Sequence, residues 1–175
     1  IEIKKEEQIL KDNIEKGLII EGNMYLNIDT GEIKINEKYI IKPLMSSDDI
    51  SNNLIELLEE QSKEELKQNE PSFLKLKAIN ENDFSINLEL CLYENRLKKI
   101  RMNVVATMLK DLILTEHYTL DHRLEHSLNY LEKFIQVDFI EDVIKRDRII
   151  FKKGIINIIK DDRISDVKIL INYNI

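Results

Sequence analysis

The residues best suited to chemistry lie in the run His122-Arg123-Leu124-Glu125-His126. It fits H-x-x-E-H, in which two imidazoles on one helix face bind zinc and the glutamate serves as general base. The spacing is physically right, because residues four apart on a helix are surface neighbours. His117 places a third ring nitrogen nearby in the chain. Against this, Leu124, Leu128 and Leu131 mark the core side of the same stretch, which turns His122 and His126 toward solvent. Three fixed positions in five residues also arise readily by chance. An exposed helix face is therefore the first expectation. A metal-binding or hydrolytic protein using His122, Glu125 and His126 is the alternative.

Other catalytic patterns are missing from the sequence. No serine sits in G-x-S-x-G. The four glycines, Gly17, Gly22, Gly31 and Gly154, are too scattered to build a phosphate-cradling loop. The paired acids Asp48-Asp49 and Asp161-Asp162 fall at a helix start and a turn, where capping and turn chemistry explain them. Cys91 is the only cysteine, so one chain can form neither a disulfide nor a cysteine-based metal site. It lies within an apolar strand, where a small buried hydrophobe is expected. No cofactor is implied.

Charge is the more informative signal. The 175 residues carry a formal net charge of -7, which argues against a general nucleic-acid-coating role. The basic run Arg96 to Arg101 alternates like a solvated strand, and aromatic residues reach only 6% with no tryptophan to stack on bases. Between residues 46 and 70 stand Asp48, Asp49, Glu56, Glu59, Glu60, Glu64, Glu65 and Glu70, opposed only by Lys63 and Lys67. Eight acids against two lysines leave -6 in this one segment, and only -1 for the rest. It is either a solvated helix or an electrostatic docking face for a basic partner.

Hydrophobic period supplies the elements that hold these residues. Residues 2–16 predict a short polar helix closed by Gly17, within an N-terminal helix or linker spanning 1–23. From Met24 the period falls to two, and MYLNI-DTG-EIKIN predicts a hairpin with Ile33 and Ile35 on one face and Lys34 on the other. YIIKP adds a third strand. Ser46 or Ser47 then caps a helix from about 48 to 60, with an extension toward 68. SFLKLKAI, FSINLELCLY and NRLKKIRMNVV predict three strands, the last two turning at Glu94-Asn95. Helices follow over 106–118 and 119–136. The second carries the stripe Leu120, Leu124, Leu128, Leu131 and Ile135 behind Thr119 as N-cap. RIIFKK, IINIIK and DVKILINY close the chain as strands. Strands grouped in antiparallel sets predict one α+β domain over 24–175, an antiparallel β-sheet with helices packed on one face. No apolar run is long enough to span a bilayer, and the single cysteine fits a reducing, cytoplasmic setting.

Three stretches resemble a group of small bacterial proteins that look like immunity or accessory proteins of toxin systems. MYLNIDTGEIKINEKYIIKPLMSSDDI is similar to their opening strand, D-x-x-T/S-G-x-I hairpin, proline-ended strand and acid-capped helix. FSINLELCLYENRLKKI resembles their central hairpin. FKKGIINIIKDDRISDVKILINY resembles their closing pattern through Phe151, Gly154, Ile156, Asp162, Arg163, Ile169, Ile171 and Tyr173. The likeness covers residues 24–58, 84–104 and 148–173. It departs at Lys153, where the group carries tryptophan. The resemblance implies a binding protein without catalysis, whose partner is a cognate basic protein toxin. Neither nucleic acid nor membrane is an expected partner, and the chain is a monomer or dimer. Asp48, Asp49, Glu56, Glu59, Glu60, Glu64 and Glu65 are the candidate contacts. A structural or adaptor domain of a larger chain is a further alternative.

Overall fold

The computed structural model describes residues 2–106, 119–136, 148–164 and 166–174. Two sheets organise these residues. The smaller is a three-stranded meander of β2 (Met24–Leu26), β3 (Ile33–Ile35) and β4 (Tyr39–Ile41). Its first turn depends on Gly31, whose φ is +77°. A Cβ there would meet Pro43, Lys153 and Tyr173 at 3.0 to 3.3 Å, so both the backbone angle and the space require glycine. The Asn27 carboxamide accepts the N–H groups of Asp29 and Thr30 and holds the loop. Ile33 and Ile35 are buried and Lys34 is exposed, as the alternation predicts.

The larger sheet has eight strands. Its order is β1 (Ile19–Glu21), β6 (Ala78–Glu81), β7 (Phe84–Tyr93), β8 (Arg96–Ala106), β11 (Asp166–Tyr173), β10 (Gly154–Asp161) and β9 (Arg148–Phe151), with β5 (Phe73–Lys75) also pairing β7. Every pairing is antiparallel except β1 with β6, which is parallel. Residues 19–21, within the stretch expected to be helix or linker, thus form an edge of the main sheet. The preceding α1 (Glu2–Glu15) ends as predicted before Gly17, at φ +72°. The β7–β8 turn falls at Glu94-Asn95, and both residues take positive φ, 51° and 62°. A two-residue turn of this hand matches the twist of the strands it joins. SFLKLKAI, expected as one strand, divides into β5 and β6 on either side of Leu76, which bridges Leu58 instead.

One apolar cluster joins the parts. The inner face of the large sheet supplies Ile86, Leu88, Leu90, Ile100, Met102, Ile169 and Ile171, and the meander adds Met24, Leu26 and Ile41. The long helix α4 (Leu120–Ile135) packs on β8 and β11 and reaches β2. Thr119 caps it as predicted, and Leu128, Leu131 and Ile135 are buried. Tyr130 and Phe134 are buried too, so the core face is wider than the leucine stripe alone. The architecture is α+β. The helix expected over 106–118 lies outside the described residues from 107 onward, while Ala106 ends β8. Among the described residues no helix is long and apolar enough to cross a membrane.

Candidate functional site

The acidic segment is not one helix. It forms three short pieces: α2 (Ser47–Asn53), a 3-10 turn (Ile55–Leu57) and α3 (Glu60–Glu65). At the start, the Ser46 hydroxyl accepts the Asp49 N–H and the Asp49 carboxylate accepts the Ser46 N–H, both at 3.2 Å. This reciprocal cap satisfies two helix-end donors. The break has a tertiary cause. Leu54, Leu57 and Leu58 all enter the core, and the chain turns extended at Leu58 to pair with Leu76. The Glu59 N–H donates to Lys75 and the Lys77 N–H to Leu57, at 3.0 and 2.8 Å. A continuous helix to residue 60 would lose these bonds and lift Leu58 out of the core.

This corrected backbone sorts the seven candidate acids. Asp48, Asp49, Glu56, Glu59, Glu60 and Glu64 are exposed and Glu65 is half-buried. Asp49 is committed to the cap, and the hydrogen bonds from the Ser46 backbone and then its hydroxyl hold its carboxyl below the ordinary value. Glu56 accepts the Tyr39 hydroxyl at 2.5 Å and lies 3.8 Å from Lys38. The tyrosine hydrogen bond, then the lysine charge, lower its pKa. Glu60 pairs with Lys63 at 2.9 Å and Glu64 with Lys67 at 3.0 Å. Lys63 also lowers the Glu60 pKa, through its hydrogen bond first and its charge second. Such exposed pairs add little to stability, because water and salt screen them, but they thin the negative field. Asp48, Glu59 and Glu65 form no ion pair among the described residues.

The histidines lie at the start of α4. His122 occupies the third helical position, where its Nδ1 lies 3.1 Å from the Thr119 hydroxyl and its N–H donates to that oxygen. Its ring therefore takes part in the cap. Glu125 is exposed. His126 does not face solvent as the leucine stripe implied. It is half-buried, with its ring centroid 6.4 Å from that of Phe84 in an edge-on arrangement. The core face is turned toward Ser127 and Tyr130, and that rotation brings His126 to its border. Among the described residues no three His, Cys, Asp or Glu side chains converge as a metal site. His117 lies outside them.

Two arrangements escaped the sequence. The first is a buried polar knot. Glu81, 2% exposed, accepts the Tyr130 hydroxyl at 2.6 Å and pairs with the Lys133 ammonium. Lys133 also donates to the Met24 carbonyl at 3.0 Å and lies 4.3 Å from the centroid of the Tyr25 ring. Burial raises the Tyr130 pKa and lowers that of Lys133. The knot joins β6, α4 and β2, and no local spacing links residues 25, 81 and 133. The second is the outer face of the large sheet. There Phe73, Cys91, Lys99, Asn172, Ile155 and Ile150 align across strands beside the row Lys75, Glu89, Arg101 and Leu170. Phe73, Tyr93 and Ile150 are 50%, 68% and 66% exposed. Cys91 is buried as expected, and burial pushes its thiol pKa up.

The residues that carried the resemblance meet in space. The Tyr173 hydroxyl donates to the Gly31 carbonyl at 2.9 Å, tying the closing strand to the opening hairpin. A Cβ on Gly154 would lie 2.0 Å from the Asn172 carbonyl oxygen, so β10 and β11 close only over glycine. Ile156, Ile169 and Ile171 are fully buried. These contacts clasp the closing strands to the opening hairpin. No family model, curated protein or solved structure matches this chain.

Proposed function

We propose that this chain is an immunity-type binding protein of the cytoplasm that neutralises a basic protein toxin by occluding its working face. The observation that supports this reading is how the acids are carried. Asp48 and Glu56 are exposed on α2 and the 3-10 turn, which Ile50, Leu54 and Leu57 lock into the core, and Glu60 and Glu64 are exposed on α3, which the buried Ser62 hydroxyl ties to the Lys75 N–H at 2.8 Å. Carboxylates held this way lose little backbone freedom on docking, which lowers the cost of association. Their charge steers a basic partner inward and raises the capture rate. Steric cover, not chemistry, then blocks the toxin.

The test uses the protein encoded beside this chain as the candidate toxin, with its catalytic activity disabled. Capture is followed by stopped flow at two salt concentrations. The variant Asp48→Lys, Glu56→Lys, Glu60→Lys, Glu64→Lys is expected to slow association about tenfold at low salt and to flatten its salt dependence. An on-rate and salt slope equal to those of the wild type would overturn the reading.

A further inference from the structure

On the outer side of the large sheet, patches of opposite sign lie edge to edge. Glu59, Glu65, Phe73 and Lys75 help line one groove of about 280 Å3. Glu59, Lys75, Arg101 and Lys168 help line an adjoining groove of about 330 Å3. Glu59 and Glu65 form the acidic side, while Lys75 and Lys168 form the basic side, the Arg101 charge being met by Glu89. The two other carboxylates at these grooves are already paired. Glu89 lies 3.2 Å from Arg101, and Asp166 lies 3.3 Å from Arg123. Glu59 and Lys75 line both grooves and mark their boundary, and Phe73, half-exposed, lies in the first groove with the Arg101 guanidinium 5.4 Å from its ring centroid. A half-exposed aromatic ringed by charge has the anatomy of an interface centre with a polar rim.

We propose that this face is a self-complementary interface for a second copy of the chain. A two-fold axis at the boundary marked by Glu59 and Lys75 carries the acidic side of each copy onto the basic side of the other. A two-fold contact demands this pairing of a surface with itself, and patches of opposite sign side by side satisfy it. Phe73 of each copy packs beside the axis and leaves water. A polyanion fits the same face less well, since Glu59 and Glu65 would repel it beside the lysines. The contact uses Glu59 and Glu65, whereas the proposed toxin test varies Asp48, Glu56, Glu60 and Glu64, so either idea can fail alone.

The experiment measures the mass of the full chain by sedimentation equilibrium over a range of concentration and salt. The wild type is expected to move from 20.7 kDa toward twice that mass as concentration rises, and back as salt rises. Lys75→Glu with Lys168→Glu makes both patches acidic, and Glu59→Lys with Glu65→Lys makes both basic. Each double variant is expected to weaken self-association about tenfold. Mixing the two restores a dimer, because every contact is then attractive, and the fourfold variant restores it alone. Circular dichroism checks that each variant is folded. A chain that stays monomeric throughout overturns the proposal. So does a dimer unmoved by either reversal, or two reversals that do not rescue each other.

Discussion

At the scale of single residues, Asp49 shows a carboxylate whose work is local. Its pKa is held below the ordinary 3.8 by the Ser46 hydrogen bonds. A carboxyl with a depressed folded pKa stabilises the fold above its unfolded pKa, and the contribution fades as pH falls through the folded value. Asp49→Asn is therefore expected to lower stability at neutral pH. The gap between the two proteins should close as the medium is taken from about pH 4 into stronger acid. Denaturant melts at a series of pH values measure it, and a gap that persists unchanged in acid would contradict the assignment. Glycine acts at the same scale. Gly31 and Gly154 stand where another strand or side chain passes too close for a Cβ.

At the scale of elements, the acidic segment shows tertiary pairing overriding a helical pattern. Ile50, Leu54, Leu57 and Leu58 follow helical spacing, and the capping serine and first-turn acids are where the spacing places them. The segment nonetheless breaks at Leu58, because pairing with residues 75–77 satisfies backbone groups and buries that leucine fully. Leu58→Ala is expected to cost about 2–5 kcal/mol, as for other fully buried leucines. It should also raise the hydrogen-exchange rates of the Glu59 and Lys77 amides above those of β7. Equal exchange at those amides in both proteins would show that the bridge does not hold the segment. The strands and α4 were legible because their period is long and their turns chemically marked, as at Glu94-Asn95 and Thr119. The edge strand β1 was not, because it forms only by parallel pairing with residues 78–80, far away in the chain.

At the scale of the whole molecule, the buried knot is what binds the layers. Tyr130 and Lys133 reach from α4 to Glu81 on β6 and to the Met24 carbonyl on β2. Tyr130→Phe removes one donor from a buried carboxylate and is expected to cost about 1–3 kcal/mol. Glu81→Gln in the same background should cost more, since it leaves the partly buried Lys133 ammonium without its carboxylate. A Tyr130→Phe protein as stable as the wild type in urea would show that the hydroxyl is not a needed partner.

By itself the sequence determined the α+β class, the main strands, the capped helix and the concentration of negative charge in residues 46–70. These follow from local period, turn residues and composition, which neighbours in the chain express directly. Only the tertiary structure decided where the acidic segment breaks, that Lys38 and Tyr39 answer Glu56, and which face His126 takes. It also assembled the Glu81 knot and set the acidic and basic patches side by side. Each of these depends on contacts between residues far apart in the chain, where burial and backbone pairing outweigh local preference and no spacing records the partner.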